Sequence, residues 1–452
     1  MKIDRIELFH VSIPLDKPFY PAWIPGYPMT ANRCTLARLT TDDGVQGLAA
    51  GVAFEREREG LGSLLGPYLI GLDPRDIATG RQRIREAAYL GWRNFWLEAA
   101  FWDILGKVEG KPVWALLGGE TGGRVEVYAS TGEVHDPQRR AEEVQQLREL
   151  GYKSVKLRVH SFDPAEDIAQ IATVRKAVGD GMEIGVDANQ GWRVALIDDA
   201  PLWDLERATE FAAACADNGI AWLEEPLDMY AWDDLAELRR RSSVKIAGAE
   251  LNGGWHEFQV MLEKGCFDIY QPDACFGGGI SEAKQVMDAC RSGGLTFAPH
   301  TWTNGIGLIT NLHLYAAGER DHPLEFPFEP PGWTPEVRDG LLAQPILADR
   351  DGTIAVPEAP GLGIELDEDK LKRYGEKFFD MSSRGLAVKT IREKGFFSAL
   401  KLARKKRKRS STSGRPVGAP EGATSDATEK APYRRFFLVP EPTTEQDHTQ
   451  TP

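Results

Sequence analysis

Cysteine is scarce in this chain. The 452 residues hold five, Cys34, Cys215, Cys266, Cys275 and Cys290, an odd count with no CxxC pair. A disulfide framework and a zinc ribbon are therefore both poor readings, and a reducing compartment, the cytoplasm, fits better. No apolar run approaches the roughly 20 residues needed to span a bilayer. The N-terminal MKIDRIELFHVSIPL is broken by charges and lacks a signal-peptide core. Neither GxGxxG nor GxxxxGK[ST] follows the first strand of the repeat described below, so nucleotide binding has no local support. Positive charge is in deficit, with 54 Lys and Arg against 68 Asp and Glu. A body this acidic argues against general nucleic-acid binding. It leaves room for an anionic substrate, because a metal ion can make one site locally positive.

What is present suits a soluble globular protein of two or three domains, 42% apolar and 27% charged. Such a length buries a large core without staples. The last stretch separates by composition. Lys401 to Pro452 carries 11 Lys and Arg against 6 Asp and Glu, opening with KLARKKRKR and continuing in Ser, Gly, Pro, Thr and Ala. Beyond about Ser410 this cannot bury a core, and disorder is expected. Ile391 to Leu400 extends the basic run as a short amphipathic helix. The tail reads as a solvated end or as an electrostatic anchor for anionic lipid, nucleic acid or another partner.

The first 120 or so residues read as α+β. Lys2–Ile13 and Arg33–Thr40 alternate like strands, and Asp42-Asp43-Gly44 is a turn signal. Helices are predicted from about Glu57 to Ile70 and from about Asp76 to Val108. The apolar stretch Pro14–Pro28, with Phe19, Tyr20, Trp23 and Tyr27, either packs onto its own domain or forms a lid over a pocket. From Val125 to about Phe326 the pattern becomes a repeat. Short apolar runs begin near Val125, Ser154, Glu183, Gly219, Val244, Phe267, Leu295 and His322. Helical segments lie between them at 138–150, 163–178, 199–218, 231–241, 255–264, 281–292 and 305–317. Eight strand-plus-helix units of this size specify a (β/α)8-type barrel more naturally than an open sheet.

Barrel enzymes place catalysis at the C-terminal strand ends. Three successive ends carry Asp187, Glu224 and Glu250. Three converging carboxylates repel one another in a low dielectric unless a cation sits between them, and all-oxygen ligation favours a hard ion such as Mg²⁺. On the second strand, alternation sends Val155, Leu157 and Val159 outward and Lys156, Arg158 and His160 inward. Two cations beside a carboxylate cluster suit an anionic substrate that bridges them to the metal; His160 rims the site. Asp273 and His300 end adjacent strands, where a carboxylate can orient an imidazole as a general acid/base.

In order, VKLR, VDANQ, WLEEP, GAE, PDA and PHTW resemble the enolase superfamily, and its mandelate racemase subgroup in particular, over about residues 1–380. The resemblance implies an α/β fold with an N-terminal α+β capping domain and a modified TIM barrel, (β/α)7β. The expected boundaries are 1–124 for the cap, 125–326 for the barrel, 327–390 for a segment returning to the cap and 391–452 for the tail. It implies Mg²⁺ on Asp187, Glu224 and Glu250, and an Asp273–His300 dyad on one face of the substrate. Lys156 matches the first lysine of the family's KxK motif. Asn189 matches a polar residue near the metal, and Glu325 a residue that hydrogen-bonds the substrate carboxylate. A symmetric homo-oligomer is implied as well. Phe267–Glu282 has no lysine, so the muconate-lactonizing subgroup fits poorly.

One departure matters. The second lysine of KxK, usually the base on the opposite face, is Arg158 here. A guanidinium does not readily give up its proton. The expected chemistry is Mg²⁺-dependent removal of the proton α to a carboxylate through an enediolate, leading to dehydration of an acid sugar to a 2-keto-3-deoxy acid. The alternatives are a racemase or epimerase of an α-substituted carboxylic acid, and a non-catalytic barrel whose tail binds lipid or nucleic acid. Tyr20 and Trp23 of the aromatic stretch are expected to shape the substrate pocket.

Overall fold

The computed structural model describes residues 1–402, apart from residue 92, together with residue 404. Most of the basic and low-complexity tail thus lies outside the described residues. Two compact units divide the chain, Met1–Ala387 and Val388–Pro452.

The first unit opens with β1 (Ile3–Phe19), β2 (Met29–Thr41) and β3 (Gln46–Val52), followed by α1 (Leu61–Leu69), α2 (Ile77–Ala88), α3 (Glu98–Glu109) and α4 (Val113–Leu116). β1 runs to Phe19, which pairs with Met29, so the aromatic stretch between the strands shrinks to a short connection. β3 was not anticipated. Its QGLAAGV is small and apolar without alternation, and it pairs antiparallel with β2 from Thr40↔Gln46 to Cys34↔Val52. The helix expected over 76–108 is two helices, since α2 ends at Ala88 and α3 begins at Glu98. Asp76 caps α2 by accepting from the Thr79 N–H.

The repeat then unfolds as expected: β4 (Arg124–Ser130), α5 (Pro137–Glu149), β5 (Ser154–Arg158), α6 (Pro164–Val178), β6 (Glu183–Asp187), α7 (Leu205–Asp217), β7 (Trp222–Glu224), α8 (Trp232–Arg241), β8 (Lys245–Gly248), α9 (Trp255–Lys264), β9 (Ile269–Tyr270), α10 (Gly279–Gly293), β10 (Thr296–Phe297), α11 (Gly305–Ala316) and β11 (Leu324–Pro327). Helix α7 starts later than predicted, where Asp204 supplies its cap. The eight strands pair in parallel in the order β10-β9-β8-β7-β6-β5-β4-β11. Among the described residues no ladder joins β10 to β11. That seam is bridged by Thr301, which donates from Oγ1 to the Glu325 carbonyl at 2.9 Å and from N to Glu325 Oε2 at 2.6 Å. Seven helices follow the first seven strands, giving a (β/α)7β barrel.

The chain continues through α12 (Pro335–Arg338), β12 (Thr353–Ala355), α13 (Glu368–Tyr374), β13 (Gly375–Ser382) and α14 (Ser383–Lys394). β12 pairs antiparallel with β4, and β13 with β1 from Arg5↔Ser382 to Val11↔Gly375. The chain therefore closes back on the sheet that opened it. None of the described helices is long and apolar enough to cross a membrane.

The barrel interior is packed side chain against side chain. Trp222 fills its centre between Tyr128 and His322, with ring centroids 5.1 and 4.7 Å away. Gly185 on the neighbouring strand makes room for that indole. A Cβ at residue 185 would lie 2.0 Å from it. Gly185→Ala is expected to cost about 1–3 kcal/mol of stability through overpacking; an unchanged melting temperature would contradict this packing.

His313 of α11 ties three segments together. It accepts from the Trp114 N–H at Nδ1 (3.2 Å) and, in the neutral tautomer this requires, donates from Nε2 to the Leu362 carbonyl (3.1 Å). Burial pushes its pKa down to about 4, and burial does the same for His322. The unfolded chain takes up these protons first as pH falls. The stability these groups contribute is complete above about pH 6.5 and is lost as pH falls toward about 4. Urea midpoints should drop across that window, and His313→Gln should flatten the drop; a variant as acid-sensitive as the parent would remove His313 from this role.

Candidate active site

Strand register brings the predicted groups together. Arg158 stands opposite Asp187, and Asp187 opposite Glu224, on β5, β6 and β7. The three strands bearing Asp187, Glu224 and Glu250 each kink into left-handed backbone just beyond their ends, at Asn189 (φ 47°), Glu225 (φ 45°) and Ala249 (φ 84°). Non-glycine residues there cost roughly 1–2 kcal/mol each, and such strain clusters at functional sites.

Each of the three carboxylates has one oxygen held by an N–H donor. Asp187 Oδ1 accepts from the Asn189 backbone at 2.8 Å, and Glu250 Oε1 from Trp192 Nε1 at 2.9 Å. Glu224 Oε2 accepts from Gln271 Nε2 at 2.9 Å and from Trp222 Nε1 at 3.3 Å. The other oxygen of each meets a cation. Lys156 Nζ lies 2.5 Å from Glu224 Oε1 and 3.5 Å from Asp187 Oδ2; Arg158 pairs with the same Asp187 oxygen; His300 Nε2 lies 3.1 Å from Glu250 Oε2.

Glu325 on β11 completes this arrangement. Its Oε1 accepts from Lys156 Nζ at 2.8 Å and from Ser130 Oγ at 2.8 Å. Burial alone would lower the Lys156 pKa, but Glu224 and then Glu325 raise it above the usual lysine value, so the amine is held protonated. Burial would raise Glu325, but Lys156, His300 and Arg158 pull it well below the ordinary carboxylate range.

His300 and Asp273 form a dyad. Nδ1 lies 2.8 Å from Asp273 Oδ2, while Asp273 Oδ1 is fixed by Asn311 Nδ2 (2.9 Å) and the Cys275 N–H (2.6 Å). Nε2 is therefore the nitrogen turned toward Glu250 and the other converging carboxylates. Burial lowers the His300 pKa, but Glu250, Glu325 and Asp273 outweigh it and push it up to about 10.

Arg158 is pinned from several sides. Nε donates to the Thr131 carbonyl at 2.7 Å, and Nη1 lies 3.3 Å from Asn189 Oδ1. Its guanidinium lies over the rings of Trp23 and Trp302, 5.3 and 5.9 Å from their centroids. Trp302 joins Phe19 and Trp333 in a buried aromatic cluster. Trp23 thus reaches the cluster from the cap as a lid residue would. Tyr20 does not join it: half its surface is exposed, and its backbone N–H donates to Glu133. His160 is half-buried and its Nε2 lacks a partner; burial lowers its pKa against hydrogen bonding that includes the Ala22 backbone.

Six buried carboxyl groups, Asp187, Glu224, Glu225, Glu250, Asp273 and Glu325, face three cationic groups, Lys156, Arg158 and His300. Glu225 Oε2 is buried without a partner; burial, then Glu250, Asp187 and Glu224, raises its pKa well above the ordinary value. This excess of negative oxygen fits a hard divalent cation on Asp187, Glu224 and Glu250.

Sequence reasoning overlooked a second charged cluster. Among the described residues, Glu133, His135 and Glu329 are the group of potential metal ligands whose ligand atoms all lie within 4.8 Å of one another. Its positive charge is already supplied by protein. Arg140 Nη1 lies 2.9 Å from Glu329 Oε1 and 3.0 Å from Glu143 Oε2, and His135 lies between Glu133 (2.9 Å) and Glu143 (2.8 Å). Glu133 also accepts from Tyr20 N at 2.6 Å, so the cluster fastens the cap loop to the first strand end.

Known proteins place this geometry. Residues 7–118 match the family described as the mandelate racemase / muconate lactonizing enzyme N-terminal domain, and residues 139–370 match the enolase C-terminal domain-like family. The chain is 30% identical to an L-talarate/galactarate dehydratase of Salmonella typhimurium, covering 81% of this chain and 90% of that one. It is 29% identical to a D-galactarolactone cycloisomerase of Agrobacterium fabrum, covering 83% and 99%. An L-talarate dehydratase structure from Polaromonas sp. JS666, complexed with Mg and L-glucarate, superposes with a TM-score of 0.70 at 27% identity, covering 84% and 99%. These relatives include dehydratases and a cycloisomerase. With both family regions and the barrel-end residues in place, the chain belongs to the enolase superfamily, in its mandelate racemase subgroup.

Proposed function

We propose that this protein is a Mg²⁺-dependent dehydratase of an acid sugar, yielding a 2-keto-3-deoxy acid. The observation that carries this reading is the asymmetry of the proton-transfer groups. One side of the mouth presents His300 Nε2, backed by Asp273 at 2.8 Å. The other presents Arg158, fixed by Asp187, Thr131 and two indoles, and Lys156, held protonated by Glu224 and Glu325. A 1,1-proton transfer requires a base on each face. A syn elimination requires one group that takes a proton and returns it.

Asp187, Glu224 and Glu250 would hold the Mg²⁺, which when bound stabilises the negative charge that develops on the substrate carboxylate. Lys156 and Arg158 hold the anionic end of the substrate in place. His300 Nε2 accepts the α-proton as the C–H bond breaks. It then delivers that proton to the departing β-hydroxyl, which leaves as water. The resulting enol tautomerises to the 2-keto-3-deoxy acid. The cycloisomerase relative keeps an isomerase assignment in view; in its racemase or epimerase form that reading requires Lys156 or His160 to supply the second base.

For His300 to act as a base it must reach the neutral state. The charge of Glu250 is the largest influence raising its pKa. A divalent cation on Glu250 opposes that influence, so the imidazolium becomes less favoured and the pKa falls. Titration of the His300 ring by ¹⁵N NMR should move to lower pH when Mg²⁺ is added to chelator-treated protein; no displacement would separate His300 from the metal ligands.

Mono- and diacid sugars, screened with Mg²⁺ and scored with a carbonyl reagent, test the reaction itself. A 2-keto-3-deoxy product that disappears with chelator is expected, and His300→Asn should lower turnover by at least about 100-fold, the usual worth of a general acid/base, with Mg²⁺ affinity nearly unchanged. Inverted α-stereochemistry without a ketone product would replace dehydration by racemisation.

A further inference from the structure

The catalytic reading makes no use of the second unit. Its described start, from Val388 onward, differs from the rest of the chain in charge and in exposure. Val388–Arg409 holds ten Lys and Arg against one acidic residue, Glu393, in a protein whose net charge is −14. Lys389 lies 4.0 Å from Glu393, so one of those cations has a local counter-charge. The backbone is helical on both sides of Gly395, whose φ of 79° breaks the run between Lys394 and Phe396.

Beyond that break, apolar side chains stand in water. Phe397 is 84% exposed and Phe396 60%, with Leu400 and Leu402 also exposed; Val388 and Ile391 are exposed before it. At 100° per residue, Phe396, Phe397, Ala399 and Leu400 gather toward one side of a helix, and Ser398 and Lys401 toward the other. KKRKR follows in the sequence at 405–409. An apolar face beside a dense basic stretch is the pattern of a helix lying in a lipid interface, where neither insertion nor charge alone gives stable attachment.

We infer that the segment beginning at Val388 docks this enzyme onto a membrane surface rich in anionic lipid, with Phe396 and Phe397 inserted among the acyl chains and the Lys/Arg run at the headgroups. Charge complementarity names an anionic partner, and the aliphatic side chains choose between anionic partners. Leu400, Leu402, Val388 and Ile391 gain by burial in hydrocarbon and offer nothing to a phosphate backbone or a base edge. The attachment is peripheral, since none of the described helices is long and apolar enough to cross a membrane.

The test uses the full chain and sedimentation with phosphatidylcholine vesicles, alone or containing about a third phosphatidylserine. Binding is expected to the anionic vesicles and not to the neutral ones. It should weaken sharply as salt rises from about 0.1 M to about 0.5 M, because screening shortens the reach of the basic run. Phe396→Ser/Phe397→Ser should lower vesicle affinity at least about tenfold through lost insertion. These residues lie outside the catalytic machinery, so the variant's turnover reports intact folding. Absence of binding at low salt overturns the inference. So does equal binding to neutral vesicles, or undiminished binding by the double variant. Tighter binding to a single-stranded oligonucleotide than to anionic vesicles, indifferent to the Phe substitutions, would assign the segment to nucleic acid instead.

Discussion

Negative charge at the barrel mouth organises this protein. Six carboxyl groups are brought out of water within a few strand ends of one another, and among the described residues Lys156, Arg158 and His300 answer them. Much of the surrounding structure serves that imbalance. The indole and amide N–H groups of Trp192, Trp222 and Gln271 each fix one carboxylate oxygen, so the other is presented in one direction. The backbone bends into left-handed conformations at Asn189, Glu225 and Ala249 to aim the same strand ends. On the function proposed above, these features prepare a cation site before any cation arrives, with the reorganisation completed during folding.

The same imbalance explains why the two faces of the site differ. His300 is backed by a carboxylate whose other oxygen is already committed to Asn311 and Cys275, so the imidazole is the adjustable partner. Arg158 is the reverse case. Aromatic rings, a backbone carbonyl and Asp187 surround it, and its side chain anchors Trp23 as much as it offsets charge. Exchanging a lysine for an arginine at this position changes a group that can move a proton into one that holds charge and shape.

Much of this was legible in the sequence, for a physical reason. A barrel strand is short and its functional residue sits at a fixed end, so local patterns such as VDANQ, WLEEP and PHTW locate Asp187, Glu224 and His300 without knowledge of the fold. The helices between strands were legible because a 3.6-residue period survives over ten or more positions. Features made of distant parts were not. β3 shows no alternation, because its small residues pack closely: a Cβ on Gly47 would lie 2.2 Å from the Ala100 carbonyl. Ser130, which links Glu325 to Trp302, is an ordinary strand-end serine until residues 172 and 195 positions away arrive. The Glu133–His135–Arg140–Glu329 cluster likewise joins the first strand end to the loop after the last. Tyr20 looked like a pocket residue by composition, yet it is the Tyr20 backbone, and not its ring, that the structure uses.

Glu325 carries one more consequence. It belongs to the charged site through Lys156, and it also fastens the β10–β11 seam, where no ladder forms among the described residues, through Thr301. A residue with a single duty can drift when selection asks for a new substrate; this one answers to architecture as well. A change at Glu325 therefore reaches the charge of the site and the closure of the barrel together, so drift at the eighth strand is held in check twice over.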